Sequence, residues 1–311
     1  MRGQRGFTLV EMVVVIAVLG VLFSILIGIT RVVVSQQRYQ TTRARMANLD
    51  NALTLFVSQY KRLPCPADGT LASGNANAGL EITNGTVGAG RTCTDGSHPN
   101  AQLNGVIPWR ALGLSASDAE DGWGTRFTYR VGPEMVMDGA LDFSSCDPAG
   151  ASTTVNSAPA YCNAAGPLAG QCNASNIASC TPPNVALTQT TTKGLVVENA
   201  SGIILMDPRS TATPPVSTGA AYVVISHGPE GGGGYSADGI LMSSAVSAGT
   251  KEAKNFANIA YSPPPLSGSP GWYLVDDVIN GTATSLHFDD LVSRPGILAL
   301  AVKAGVGPRA H

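Results

Sequence analysis

The residues with the most constrained chemistry in this chain are six cysteines, Cys65, Cys93, Cys146, Cys162, Cys172 and Cys180. An even set, all in the part of the chain beyond residue 60, reads as three disulfides formed in an oxidising compartment, with the connectivity open. The competing reading is zinc. It is the weaker one, because no Cys-x-x-Cys occurs and His98, His227, His287 and His311 are scattered. Carboxylates offer a second chemistry. Asp118, Glu120 and Asp121 lie close in sequence and could join Asp276, Asp277, Asp289 or Asp290 around a calcium ion, a hard cation that takes carboxylate and carbonyl oxygens. Their spacing is not that of a calcium loop. Acidic pairs in turns are more often simply solvated.

Catalytic patterns are missing. No nucleophile elbow, His-Glu-x-x-His pair or nucleotide-binding glycine pattern occurs. Ser226 and His227 are neighbours, but adjacent residues on a strand point to opposite faces. Gly231–Gly234 reads as a mobile turn without the Lys-Ser/Thr ending of a phosphate loop. Nothing points to a nucleic-acid partner.

The most unusual carboxylate is Glu11. It is the sole ionisable group in the 24 residues from Phe7 to Thr30. At about 1.5 Å per helical residue, roughly 20 apolar residues cross a hydrocarbon core, so this run is long enough to span a membrane. Arg2 and Arg5 precede it, which keeps the N-terminus cytoplasmic and sends the rest of the chain across. A cleaved signal peptide would have a shorter apolar centre and a small-residue cleavage site. A plain anchor would not explain a carboxylate placed in lipid, where it costs several kcal/mol unless partnered.

Gly6-Phe7-Thr8-Leu9-Val10-Glu11, preceded by basic residues, resembles the class III signal of type IV pilins and type II secretion pseudopilins. The resemblance implies that a prepilin peptidase cuts between Gly6 and Phe7 and methylates the new Phe7 amine. Glu11 then becomes the fifth mature residue, where that family has its glutamate. It also implies partners: other pilin or pseudopilin subunits through the N-terminal helix, the peptidase, and inner-membrane assembly machinery. A neighbour's Phe7 amine could pair with Glu11 in low dielectric, where an ion pair is far stronger than in water. Some pseudopilins bind calcium in their heads, which is the cofactor the acidic residues would take.

The elements that must carry these groups follow from periodicity. Tyr39, Met46, Leu49, Leu53, Phe56 and Tyr60 recur at helical spacing, so one helix runs from the apolar segment to Tyr60, about 80 Å long, with Pro64 and Pro66 ending it. Residues 31–62 carry six basic groups against Asp50, whereas residues 63–311 carry 11 basic and 19 acidic groups, so a basic stem joins an acidic head. Residues 67–105 read as a long loop with little core, whose ends Cys65 and Cys93 could tie. Trp123, Thr125, Phe127, Tyr129 and Val131 alternate with polar residues and predict a half-buried strand. Residues 143–192 hold four cysteines and no Lys or Arg; they read as an insertion, tied most simply by Cys146–Cys162 and Cys172–Cys180. Further strands are expected at Leu195–Val197, Ile203–Met206, Ala221–Ser226, Ile240–Met242, Trp272–Val275, Ser285–Phe288 and Ile297–Val302.

Together these give an α+β fold: a long N-terminal helix, membrane-spanning in its first half, packed on a mainly antiparallel sheet with large disulfide-tied loops. The expected divisions are a leader at 1–6, a transmembrane half-helix at 7–30, an exported amphipathic half at 31–62, and a pilin-like head at 63–311. The resemblance implies a non-enzymatic structural subunit, a minor pilin or pseudopilin, in the inner membrane with a periplasmic head and then in a pilus or pseudopilus. The rival reading is a single-span anchored binding module or enzyme that acts outside any filament.

Overall fold

The computed structural model describes residues 8–85, 91–98, 104–132, 135–137, 140–141, 194–207, 219–243, 252–257, 274–277 and 287–306, without the side chains of 24–32. Helix α1 spans Leu9–Tyr60. Thr8 caps its start and no proline interrupts it. It stops before the prolines. Lys61 takes a left-handed conformation (φ 57°) and donates its N–H to the Val57 carbonyl, closing the last turn three residues ahead of Pro64.

The second half of α1 buries one stripe: Thr42, Met46, Leu49, Leu53, Phe56 and Val57. Thr42 and Val57 join the expected set, and Tyr60 leaves it, being exposed and leaning on Phe56. Each fully buried Leu here contributes about 1.5–3 kcal/mol of burial. At its upper end the stripe docks on the turn 120–124. Arg45 Nη1 donates to the Glu120 and Asp121 carbonyls at 2.8 and 2.9 Å, and the Gly122 N–H donates to Thr42 Oγ1 at 2.9 Å. The Tyr39 ring meets Trp123 edge-on at 4.8 Å. Gly122 is required there, because a Cβ would lie 2.3 Å from the Arg38 carbonyl oxygen.

The stripe packs on an antiparallel sheet of β1 (Asn104–Val106), β3 (Thr128–Val131), β6 (Tyr222–Ser226) and β9 (Leu291–Ser293), in that order. Pairing sets Tyr129 opposite Val224 and Ile225 opposite Val292. A short ribbon pairs β2 (Thr125–Arg126) with β7 (Tyr235–Ser236). A third sheet places β4 (Val197–Glu198) between β5 (Ile204–Met206) and β8 (Leu274–Val275); β4 and β8 run parallel, the others antiparallel. Tyr222 and Val224 face the helix core, whereas Val223 and Ile225 face a second cluster with Leu195, Val197, Ala220 and Leu274. The central strands are therefore buried on both faces.

Several expectations change. The stretch from Thr125 to Val131 is buried throughout rather than half-buried. Its arginines meet acceptors inside: Arg126 donates to the Gly69, Leu71 and Ala237 carbonyls and to Ser73 Oγ, and Arg130 Nη2 donates to the Phe256 carbonyl. The loop after residue 66 packs into the main core rather than lying outside it, with Ala67, Ala78 and Cys93 joining the cluster of α1 and the sheet and Ile82 buried as well. Gly231–Gly234 is a buried turn, and a Cβ on Gly233 would lie 2.1 Å from the Phe256 ring. Ile240–Met242 forms an isolated bridge to Tyr235 rather than a strand.

The expected strand at Ile297–Val302 is a helix, α2 (Ile297–Lys303). Ile297, Leu300, Ala301 and Ala304 are buried at helical spacing, with Val302 exposed. Gly305 in a left-handed conformation (φ 63°), with the Val306 N–H donating to Ala301, closes it. The expected insertion at 143–192 and the first two residues of the strand expected from Ser285 lie outside the described residues.

Candidate functional site

At its N-terminus α1 shows how Glu11 is held in a single chain. Thr8 Oγ1 accepts from the Glu11 N–H at 3.3 Å, and the Glu11 carboxylate accepts from the Thr8 N–H at 2.9 Å and from Thr8 Oγ1 at 3.0 Å. This is a reciprocal capping box, which satisfies helix-end donors that have no intrahelical partner. Around it Leu9, Val10, Met12, Val13, Ile16 and Phe23 are exposed. Among the described residues no helix is long and apolar enough to cross a membrane. The run Phe7–Thr30 lies partly outside those residues, as do Gly6 and Phe7 themselves and the side chains of 24–32.

Residues 1–27 match the prokaryotic N-terminal methylation motif. The chain carries the signal of type IV pilins and pseudopilins. The motif implies a pilin-like exported subunit associated with the cell envelope, and with it prepilin-peptidase processing and assembly with other pilin subunits; it suggests a structural role. No curated protein and no solved structure matches the chain. Beyond the pilin-type signal, the head has to be read from its own geometry.

Cys65 and Cys93 form a disulfide that joins the end of the helix segment to the loop after it. Beside it Arg62 makes a two-pronged ion pair with Glu81, whose carboxylate also accepts the Cys65 N–H. Cys146, Cys162, Cys172 and Cys180 lie outside the described residues.

The calcium candidates do not converge. Asp118 is partly exposed and spends its carboxylate on Ser115 at the start of a short 3-10 helix, Ala116–Ala119. Glu120 is half-buried, and burial raises its carboxyl above the usual range. Asp121 is buried, with Oδ1 accepting the Trp123 and Thr125 N–H groups and Oδ2 accepting Ser226 Oγ. Asp276 pairs with Arg294 at 2.5 Å, and Asp277 accepts the Ala200 N–H.

Asp289 and Asp290 instead meet Glu230 and Glu252, which the sequence did not single out, and His287, which it left among scattered histidines. Two sets of ligand-type atoms lie within 4.8 Å of one another: Glu230, His287 and Asp289, and Glu252, Asp289 and Asp290. The ends of β6 and β9 bring them together. Glu230 sits in the turn after β6, His287 to Asp290 lead into β9, and Glu252 opens the 3-10 helix Glu252–Asn255. Gly228 (φ 58°) permits the approach, because a Cβ there would stand 2.5 Å from the Asp289 carbonyl oxygen. Asn255 Nδ2 donates to Asp290 Oδ2 at 2.7 Å and to the Val275 carbonyl, while its Oδ1 accepts the Val275 N–H.

His227 shares a hydrogen bond with Thr128 Oγ1 at 2.7 Å and turns Nδ1 toward Asp290 at 3.5 Å. Ser226 points instead to Asp121, so the two neighbours do not form a dyad. Burial, reinforced by the charge of Asp290, pushes the Glu252 carboxyl up to about 9 and that of Asp289 up to about 6. Sequence reasoning reached Asp289 and Asp290 only as calcium candidates beside Asp118, Glu120 and Asp121, not with Glu230, Glu252 and His287. The three segments are far apart in the chain, and no local spacing links them.

Proposed function

We propose that this protein is a structural filament subunit, a minor pilin or pseudopilin, cut between Gly6 and Phe7 and N-methylated at Phe7. In this reading residues 1–6 are the leader, 7–30 lie in the inner membrane before assembly, and 31–62 carry the helix into the periplasm. Residues 63–311 are the head, with the cysteine-rich insertion at about 143–192. The chain of 311 residues is large for a major subunit of such filaments, which favours a minor position.

One observation carries the reading. The first half of α1 presents exposed apolar side chains from Leu9 to Phe23 around a single carboxylate, Glu11. An apolar surface of this length needs lipid or partner helices to cover it. Stacking subunits along such helices would bury Glu11 beside the Phe7 amine of a neighbour, and each charge would be penalised without the other. The basic stem and the head's α1-to-sheet packing leave that half of the helix free for the purpose.

The test is mass spectrometry of the protein from cells with and without prepilin peptidase. The mature chain should begin at Phe7 and carry one methyl group where the peptidase is present. A bulky substitution at Gly6 should leave the full-length chain in the membrane. A chain still starting at Met1 in peptidase-competent cells would overturn the assignment.

A further inference from the structure

We propose that Glu230, His287 and Asp289 form a binding site for one divalent cation of the zinc class, backed by Glu252 and Asp290. The His287 side chain is 4% exposed, and neither of its nitrogens has a hydrogen-bond partner among the described residues. Its Nε2 stands 3.6 Å from Glu230 Oε1 and 3.9 Å from Asp289 Oδ1. Two ligands each about 2.1 Å from one zinc ion stand about 3.4 Å apart at the tetrahedral angle, so a small inward shift of these three side chains closes the site. Among the described residues Asp289 Oδ1 is itself buried without a hydrogen bond, as are Glu252 Oε2 and Asp290 Oδ1. Buried polar atoms are ordinarily paired, and a group of five orphaned atoms in one cluster asks for an electropositive occupant.

The imidazole decides the class of ion. Calcium takes oxygen ligands, whereas zinc accepts imidazole nitrogen and carboxylate oxygen together. Three protein ligands leave a fourth position for water, as in zinc sites that are not closed. The outer residues are arranged to hold the ligands. Asn255 fixes Asp290, and Thr128 fixes His227 behind it. A cleft lined by Arg43, Met46, Asp276, Asp277, Leu291 and Val292 borders Asp290 on the far side of the cluster. This site lies in the head and is independent of how α1 assembles.

The experiment uses the full chain in detergent, with thiols alkylated and metals stripped by a chelator. Zn2+ and Ca2+ are added separately, and bound metal per chain and the thermal unfolding midpoint are read after desalting. Zn2+ should remain bound at one per chain and raise the midpoint, and Ca2+ at the same concentration should do neither. His287→Gln and, as a second variant on the more exposed ligand, Glu230→Gln should each weaken Zn2+ binding by about 100-fold, judged only for variants whose metal-free midpoint matches the native one. Absence of retained Zn2+, retention unaffected by either variant, or binding of Ca2+ alone would overturn the proposal.

Discussion

Ser226 Oγ donates to the Asp121 carboxylate at 2.7 Å across 105 residues of chain. The bond ties the end of β6 to the turn that leads into β2, and the same turn takes two hydrogen bonds from Arg45 on α1. Asp121 is thus where the helix, the central strand and the turn are joined. Its carboxylate, one of the acids set aside for calcium, is fully used by protein donors.

Replacing Asp121 should therefore destabilise the head, whereas replacing Asp118 should not. Asp121→Ala leaves the Ser226 hydroxyl and two backbone N–H groups without their acceptor, at about 1–3 kcal/mol. Asp118→Asn, in a partly exposed 3-10 helix, should stay within about 0.5 kcal/mol of the native protein. Thermal unfolding of the two variants side by side measures the difference; equal midpoints would show that the joint at Asp121 is not what the geometry says.

Asp50 gives a pH dependence with a definite sign. It lies on the buried side of α1 and accepts Tyr222 Oη at 2.9 Å and Ser293 Oγ at 2.8 Å. Burial outweighs these bonds and raises its carboxyl above the ordinary 3.8. A raised carboxyl binds its proton more tightly in the folded chain than in the unfolded one. Its contribution to stability is then fully present below pH 3.8 and declines as pH rises through the folded pKa. Asp50→Asn, which cannot ionise, should lose less stability between pH 4 and pH 7 than the native protein. Parallel urea titrations at the two pH values supply the comparison, and identical losses would count against the assignment.

Glu11 tests the assembly reading. Among the described residues its carboxylate is engaged by its own Thr8, an exposed contact that a stronger partner can replace. Glu11→Val should leave membrane insertion intact or easier, and should leave cleavage after Gly6 intact, because the cut lies on the cytoplasmic side. Incorporation into sheared filaments should fall, with a penalty on the order of 3–5 kcal/mol for each amine buried alone. Glu11→Gln keeps the shape and loses the charge, and should be nearly as poor. Undiminished recovery of Glu11→Val in the filament fraction would reject the pairing.

The local features of this protein were legible from residue order alone. The motif from Gly6 to Glu11, the helical stripe through Leu49 and Leu53 and the β-rich run Tyr222–Ser226 all depend on the period of the backbone or on chemistry within a few residues. Even α2 was legible in principle, since Ile297, Leu300, Ala301 and Ala304 follow helical spacing, but a short apolar run between Pro-Gly and Gly fits a strand equally well. Packing on the α1 core selected the helix. The rest was decided by contacts between distant segments. Nothing near Arg126 or Arg130 announces burial; they are tolerated inside because carbonyls from residues 69, 71, 237 and 256 meet them there. Likewise Glu230, Glu252 and His287 carry no local signature. They become a cluster only because the β6–β9 pairing and the 3-10 helix at Glu252 bring three acidic segments to one buried point, where the cost of unpaired charge makes their chemistry visible.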